Sequence, residues 1–278
     1  MLTIEDHSRD SAGLLYVYPV VSRRAGGVSI GINLNPNNAC NWACVYCQVE
    51  NLSRGGPPPI DLARLESELV GFLDSALHGD FMTRQVPMEA RRLVDVAFSG
   101  NGEPTSAAEF DEAVACVVRV LERYGLKGKL LIRLITNGSL LHRENVQRGL
   151  RQLAAAGGEV WFKIDRALDN EVAEINGVPG SQSRVLKNLK ISANIVPTWV
   201  QTCWFRMDGQ APSSESRQAY CIMLRGVAAT ICGVHLYGLA RMSQQAAAPR
   251  LSALSAEELA AFGAQIGKET GIRVIVSP

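Results

Sequence analysis

Residues 28–50 read VSIGINLNPNNACNWACVYCQVE: an apolar run of strand length, Val28 to Leu34, then a polar loop with cysteines at 40, 44 and 47. The run reads as a buried strand, and the loop that follows begins at Asn35-Pro36. The spacing C-x3-C-x2-C sets three thiols on one short loop, where soft sulfur ligands suit zinc or an iron–sulfur cluster. For tetrahedral zinc the set is one ligand short, and the nearest histidine, His78, stands a helix away. A redox pair in Cys44-Val45-Tyr46-Cys47 leaves Cys40 unexplained. Three thiolates on three irons of a [4Fe–4S] cluster use all three cysteines and leave the fourth iron open.

From this strand onward, apolar runs alternate with helical-period segments, the pattern of βα units around a parallel sheet. Further strands are predicted at Leu93–Phe98, Leu130–Thr136, Val160–Asp165, Thr198–Phe205, Val234–Leu239 and Arg273–Val276. Helices are predicted over residues 61–79, 108–125, 142–157, 181–194, 214–230 and 255–271, the last opened by the capping box Ser255-x-x-Glu258. About six βα units are too few for the eight of a closed barrel, so the fold class is α/β with an incomplete barrel. Residues 1–27 read as a β extension, a strand pair turning at Gly26-Gly27. Residues 53–61 and 244–254 read as connections. One domain spans 1–278, with a core at 28–241 and a closing helix and strand in 242–278.

The bulk numbers agree with an ordinary globular protein. The 278 residues are 47% hydrophobic and 20% charged, and 28 Lys and Arg against 27 Asp and Glu give a formal charge of +1. Such a balance gives nucleic acid no electrostatic support, though it does not exclude it. No basic segment leading into an apolar core opens the chain, and no apolar run reaches membrane-spanning length; a cytoplasmic protein with reduced thiols is the expectation.

Two more strand ends carry chemistry-bearing residues. Phe98 to Thr105 reads FSGNGEPT, in which Gly100 and Gly102 allow close backbone approach and Glu103 offers a carboxylate to a cation. The competing reading is a Gly-Pro turn with Thr105 or Ser106 capping the next helix. The strands ending LITNGSLL and VWFKIDRA bring Thr136, Asn137, Lys163 and Asp165; Lys163 and Asp165 share one strand face, which allows an ion pair or two ligand contacts.

The three-cysteine loop with Tyr46 before its last cysteine, together with GNGEP, resembles the signature of the radical S-adenosylmethionine (radical SAM) superfamily. The segments LITNGSLL, FKID and LYGLAR are similar to its wyosine-synthase-like branch. One departure is clear: the authentic tRNA-modifying wyosine synthases carry a second cluster on cysteines before the three-cysteine motif, and no cysteine precedes Cys40 here, so the likeness is to members of the branch without that additional N-terminal cluster. The resemblance implies a partial (β/α)6 TIM-like barrel, with an N-terminal β-hairpin extension in this chain. It also implies a [4Fe–4S] cluster on Cys40, Cys44 and Cys47, with S-adenosyl-L-methionine on the open iron. Cofactor contacts are expected from Tyr46, Gln48, Gly100, Asn101, Gly102, Glu103, Pro104, Thr136, Asn137, Lys163 and Asp165. A flavodoxin or ferredoxin is the expected electron donor.

Of the remaining residues, Cys203, His235, Tyr237 and Arg241 are candidates for a substrate pocket: Cys203 as a hydrogen-atom donor, His235 and Tyr237 as pocket walls, Arg241 as a carboxylate binder. Burial as a small hydrophobe and a satisfied core histidine compete for Cys203 and His235. Trp42 is expected to shield the cluster, Trp161, Trp199 and Trp204 to pack, and Cys116 to lie in a helix core. The expected function is cofactor cleavage to a 5′-deoxyadenosyl radical that abstracts hydrogen from a substrate the sequence does not name. The alternatives are an RNA-modifying wyosine-type enzyme, a glycyl-radical activase and an iron–sulfur electron carrier.

Overall fold

The computed structural model describes residues 13–22 and 26–278. The first twelve residues, on which the reading of the N-terminus rests, lie outside the described residues. Strand β1 (Val17–Ser22) pairs antiparallel with β2 (Gly27–Ile32), Val17 opposite Ile32, as the N-terminal hairpin reading expects. Two-residue strands β3 (Ala39–Cys40) and β4 (Ser53–Arg54) then pair with each other across the cysteine loop.

The βα series follows: α1 (Leu62–Leu77), α2 (Phe81–Gln85), β5 (Leu93–Phe98), α3 (Phe110–Arg123), β6 (Leu131–Thr136), α4 (Glu144–Ala155), β7 (Glu159–Lys163), α5 (Asp169–Asn176), α6 (Gln182–Ile195) and β8 (Thr198–Cys203). The chain closes with β9 (Phe205–Met207), α7 (Ser214–Arg225), β10 (Gly233–Tyr237), β11 (Leu251–Ala253), α8 (Ala256–Thr270) and β12 (Val274–Ser277). One eight-stranded sheet runs β1-β2-β5-β6-β7-β8-β10-β12, every pair after the first being parallel. The six barrel strands are therefore present, with β12 parallel beyond the sixth.

The alternation along these strands is inverted relative to a surface sheet. Val96, Phe98, Ile132, Leu134, Val160, Phe162, Val200, Val234 and Leu236 are all buried. On the alternate face, Asp95, Arg133, Lys163, Gln201 and Cys203 line a cavity. Strands so buried read as apolar runs, while their polar members mark the interior of the barrel. The helices supply amphipathic cover: on α3, Phe110, Ala113, Val114, Val117, Val120 and Leu121 recur at helical spacing and are buried. Ser255 and Glu258 form the expected capping box of α8, and Gly271 ends it in the left-handed region with φ +72°.

Two expectations and one competing reading need correction. Helix α7 stops at Arg225 and gives way to turns, where the pattern suggested continuation to residue 230. The supposed connection 244–254 holds β11, which pairs antiparallel with β9, a ribbon too short to show a period. Thr105 and Ser106 cap no helix: they lie in a short turn, Pro104–Ser106, that Glu103 caps, and α3 begins only at Phe110.

Candidate functional site

At the C-terminal ends of the parallel strands lies a cavity of about 610 Å³, and Cys40, Cys44 and Cys47 all line it. All three are free thiols partly exposed to it. Their loop has little regular structure and is held from outside. Ala43 N and Val45 N donate to the carbonyls of Asn176 and Ile175 at the end of α5, at 3.0 and 2.9 Å. Arg54 donates to the carbonyls of Asn41, at 2.7 Å, and Gly177. From the far end of the chain, Ser243 Oγ donates to Val45 O at 2.7 Å and Gln245 Nε2 to Val49 O at 2.8 Å. Asn137 Nδ2 holds Asn41 Oδ1 at 2.8 Å, tying the loop to the end of β6. Asn38, at φ +55°, adopts the left-handed conformation that asparagine tolerates.

Burial pushes the Cys40 thiol up to about 11 and that of Cys44 to about 12, Asp165 adding to the latter. The side-chain amide of Asn176 donates to Cys44 Sγ at 3.3 Å and to Asp165 Oδ2 at 2.9 Å. Among the described residues, no three His, Cys, Asp or Glu side chains are grouped to hold a metal ion. Soft thiolates on a braced loop, opening on one cavity, are a donor set whose chemistry fits an iron–sulfur cluster.

The GNGEP loop packs directly on the cysteine loop. Gly100 has φ +150°, and a Cβ on it would stand 2.8 Å from Asn33 Cγ. A Cβ on Gly102 would stand 2.7 Å from the Asn35 amide and overlap the Ala39 carbonyl oxygen. These glycines thus have a reason within the protein itself, the close approach of two loops. Asn101 N donates to Asn33 Oδ1 at 3.0 Å and its side chain to Asn38 Oδ1 at 2.6 Å.

Glu103, 3% exposed, joins the ends of β5 and β6. Its Oε1 accepts from Thr105 N, Thr105 Oγ1 and Thr136 Oγ1 at 3.1, 2.6 and 2.6 Å, and its Oε2 from Asn137 N at 2.7 Å. Burial raises its carboxyl above the usual range against those hydrogen bonds. Oε2 accepts the one hydrogen bond from Asn137 N, and Glu103 lines the cavity, so its carboxylate keeps acceptor capacity there.

Below the cysteine loop, Tyr46 donates its phenol to Asp165 Oδ2, and Cys203 N donates to Asp165 Oδ1 at 2.9 Å. Lys163 does not pair closely with Asp165 in the way its strand spacing allows; it donates to Tyr237 Oη at 2.9 Å and lies 5.0 Å from the centre of the Tyr46 ring. Burial disfavours its charge, but Asp165 and Tyr237 outweigh that and hold it above the usual lysine range. Burial likewise pushes the Cys203 thiol to about 12 and the Tyr237 phenol well up.

The floor is an ion network. Arg133 pairs with Asp95 and, at 2.8 Å, with Glu159, and lies 4.1 Å over the Trp161 ring; Ser29 donates to Asp95. His235 sits between Trp161 and Trp199, with ring centres at 4.4 and 4.7 Å. Its ring faces are covered, whereas Tyr237 opens on the cavity. Trp161 combines packing with a place in the cavity wall, and Trp204 stacks on Phe262 at 3.8 Å.

The structure gathers Tyr46, Gln48, Gly100, Asn101, Gly102, Glu103, Asn137, Lys163, Cys203, Tyr237 and Arg241 around this cavity. Pro104, Thr136 and Asp165 are buried behind its wall, supporting the residues that face it. Arg241 lies at the rim, its guanidinium 3.4 Å from Gln48 Oε1. Trp42 lines the cavity and Cys116 is buried in α3. Sequence reasoning missed Asn176, Ser243, Gln245 and Gln201. The first three act across long sequence separations that no local spacing reveals, but Gln201 was visible as the polar break in the apolar strand Thr198–Cys203.

Such an arrangement, an open parallel barrel with a cysteine loop over its mouth, is the radical SAM fold. A radical SAM methyltransferase from Sphaerobacter thermophilus superposes with a TM-score of 0.61 at 16% identity, covering 94% of this chain and 68% of that one. TYW1 with a lysine-pyruvate adduct bound gives 0.57 at 13% identity, over 88% and 74%. SuiB of Streptococcus suis bound to S-adenosylmethionine gives 0.56 at 12% identity, over 91% and 47%.

In sequence, the chain is 30% identical to UPF0026 protein MJ1312 of Methanocaldococcus jannaschii over 164 residues, 57% of this chain and 42% of that protein. It is 27% identical to GTPase Obg of Brachyspira hyodysenteriae over 134 residues, 48% of this chain and 17% of that protein. The chain thus spans less than half the length of either relative. No protein-family model matches it.

Proposed function

We propose that this protein is a radical SAM enzyme in which Cys40, Cys44 and Cys47 hold a [4Fe–4S] cluster and the cavity beneath holds S-adenosyl-L-methionine. The observation that carries this reading is the convergence of the three cysteines, Gly100 to Glu103 and Asn137 on one cavity at the C-terminal mouth of the barrel. Held by Cys40, Cys44 and Cys47, such a cluster would supply the single electron for reductive cleavage of S-adenosylmethionine and so the radical chemistry for hydrogen abstraction from substrate.

The chain's own residues align the reactants and exclude water. The glycine-rich loop offers backbone carbonyls and the remaining acceptor capacity of Glu103 to the cofactor's ammonium group, with Glu103 clamped by Thr105 and Thr136. Asn137, Tyr46 and the backbone near Gln48 contact the rest of the cofactor. Trp42 and Tyr46 keep water from the sulfurs. A flavodoxin or ferredoxin serves as electron donor, in the cytoplasm; no described helix is long and apolar enough to cross a membrane.

The test is anaerobic: reconstitute with iron and sulfide, reduce with dithionite, add S-adenosylmethionine and quantify 5′-deoxyadenosine by mass spectrometry. Product that depends on Cys44 supports the reading. A full cluster that neither cleaves nor spectroscopically senses the cofactor overturns it in favour of an electron carrier.

A further inference from the structure

Gln201 on β8 places a polar side chain in the cavity wall. It is 5% exposed and lines the cavity, and among the described residues its side-chain amide makes no hydrogen bond. In the sheet register Gln201 is directly opposite Lys163 of β7. The two side chains therefore face the same cavity from adjacent strands.

Lys163 has capacity to spare. Its ammonium carries three donors and gives one to Tyr237. Asp165, the carboxylate nearest in sequence, is engaged by Tyr46, Asn176 and Cys203. Arg133, the other cation deep in the cavity, is matched by Asp95 and Glu159.

We infer that Lys163 and Gln201 form the substrate-recognition pair, and that the substrate carries a carboxylate with a polar group on the adjoining carbon, as in a hydroxy or amino acid. This rests on the function proposed above. The ammonium takes the carboxylate in a charge-assisted hydrogen bond, and the amide takes the neighbouring group as donor or acceptor. Asp95 and Glu103 already line the cavity, so it accommodates one added negative charge more readily than two, which favours a carboxylate over a doubly charged phosphate.

The test titrates L-lactate, neutral L-lactamide and inorganic phosphate separately into reconstituted protein loaded with S-adenosylmethionine, with binding read by calorimetry. L-Lactate is expected to bind and L-lactamide and phosphate to bind at least about tenfold more weakly, the worth of one charged hydrogen bond. Lys163→Met and Gln201→Leu should each weaken L-lactate about tenfold or more, and Gln201→Glu should abolish its binding, while affinity for S-adenosylmethionine in the two Gln201 variants changes less than about twofold. Thermal melts of each variant verify folding.

Loss of S-adenosylmethionine affinity in Lys163→Met, with lactate binding intact in Gln201→Leu, makes Lys163 a cofactor contact and overturns the pair. Preference for phosphate overturns the carboxylate. Failure of L-lactate to bind wild-type protein that binds S-adenosylmethionine overturns the inference alone; failure of S-adenosylmethionine itself overturns the function beneath it.

Discussion

Gly102 and Ala39 touch across two loops so closely that a methyl group on the glycine would overlap the alanine's carbonyl oxygen. Ala39 immediately precedes Cys40, so the glycine-rich loop and the cysteine loop share one contact surface. Gly102→Ala is expected to push the loops apart, with more than half of the iron lost after reconstitution and affinity for S-adenosylmethionine reduced, while circular dichroism stays that of wild type. Iron and sulfide assays check it; full cluster content would show that the contact yields.

Replacing any one of Cys40, Cys44 or Cys47 by Ala is expected to abolish the cluster and leave the barrel folded, since their loop contributes little to the core. Cys203→Ala should retain full iron content, because that thiol faces the cavity from β8 and not from the loop. Absorbance and iron analysis of the four variants distinguish ligands from a cavity thiol.

Glu103→Ala should weaken S-adenosylmethionine binding with the cluster intact, and also lower stability by about 1–3 kcal/mol as Thr105, Thr136 and Asn137 N lose their acceptor. Denaturant titration and cofactor binding read the two effects separately. Unchanged cofactor affinity would leave Glu103 a purely structural clamp.

At the edge of the sheet, Glu68 of α1 accepts from the backbone N–H groups of Leu15, Tyr16 and Val17 and from Arg64 Nε. Those hydrogen bonds outweigh burial and hold its carboxyl below the usual range. A depressed pKa in the folded state stabilises the protein above the unfolded value of about 4.3, and that stability is lost as pH falls through the folded value. Glu68→Gln should therefore be less stable than wild type at pH 7, the gap closing as the medium is acidified below about 4. Thermal melts across pH test it, together with faster amide exchange at Leu15 to Val17.

Burial holds the Cys203 thiol near 12, so it is protonated at ordinary pH. Only the thiolate is alkylated. Iodoacetamide at pH 8 should label exposed Cys232 first and leave Cys203 unmodified until the protein is unfolded; peptide mapping before and after denaturation decides it.

The barrel was legible because its strands bury an apolar set beneath the helices on one face, and these appear in sequence as compact runs such as Leu93–Phe98 and Leu131–Thr136. Short elements were not: β9 and β11 have three residues each, fewer than a period-2 pattern needs to show itself. Within the site, residues close to a motif were readable, and Tyr46, Gly102 and Glu103 all reach the cavity. His235 shares a strand face with Tyr237, yet two indoles enclose its ring, a tertiary contact that the strand's period does not encode.

The braces of the cysteine loop also set an order in time. Val45 is anchored by Ser243, 198 positions further on, and by Ile175 at the end of α5. During synthesis the three thiols emerge early, yet their loop acquires its shape only once nearly the whole barrel has left the ribosome and closed around it. Any metal loading that depends on that shape is thus a step on the finished protein, and until then the cysteines are exposed to oxidants without shelter.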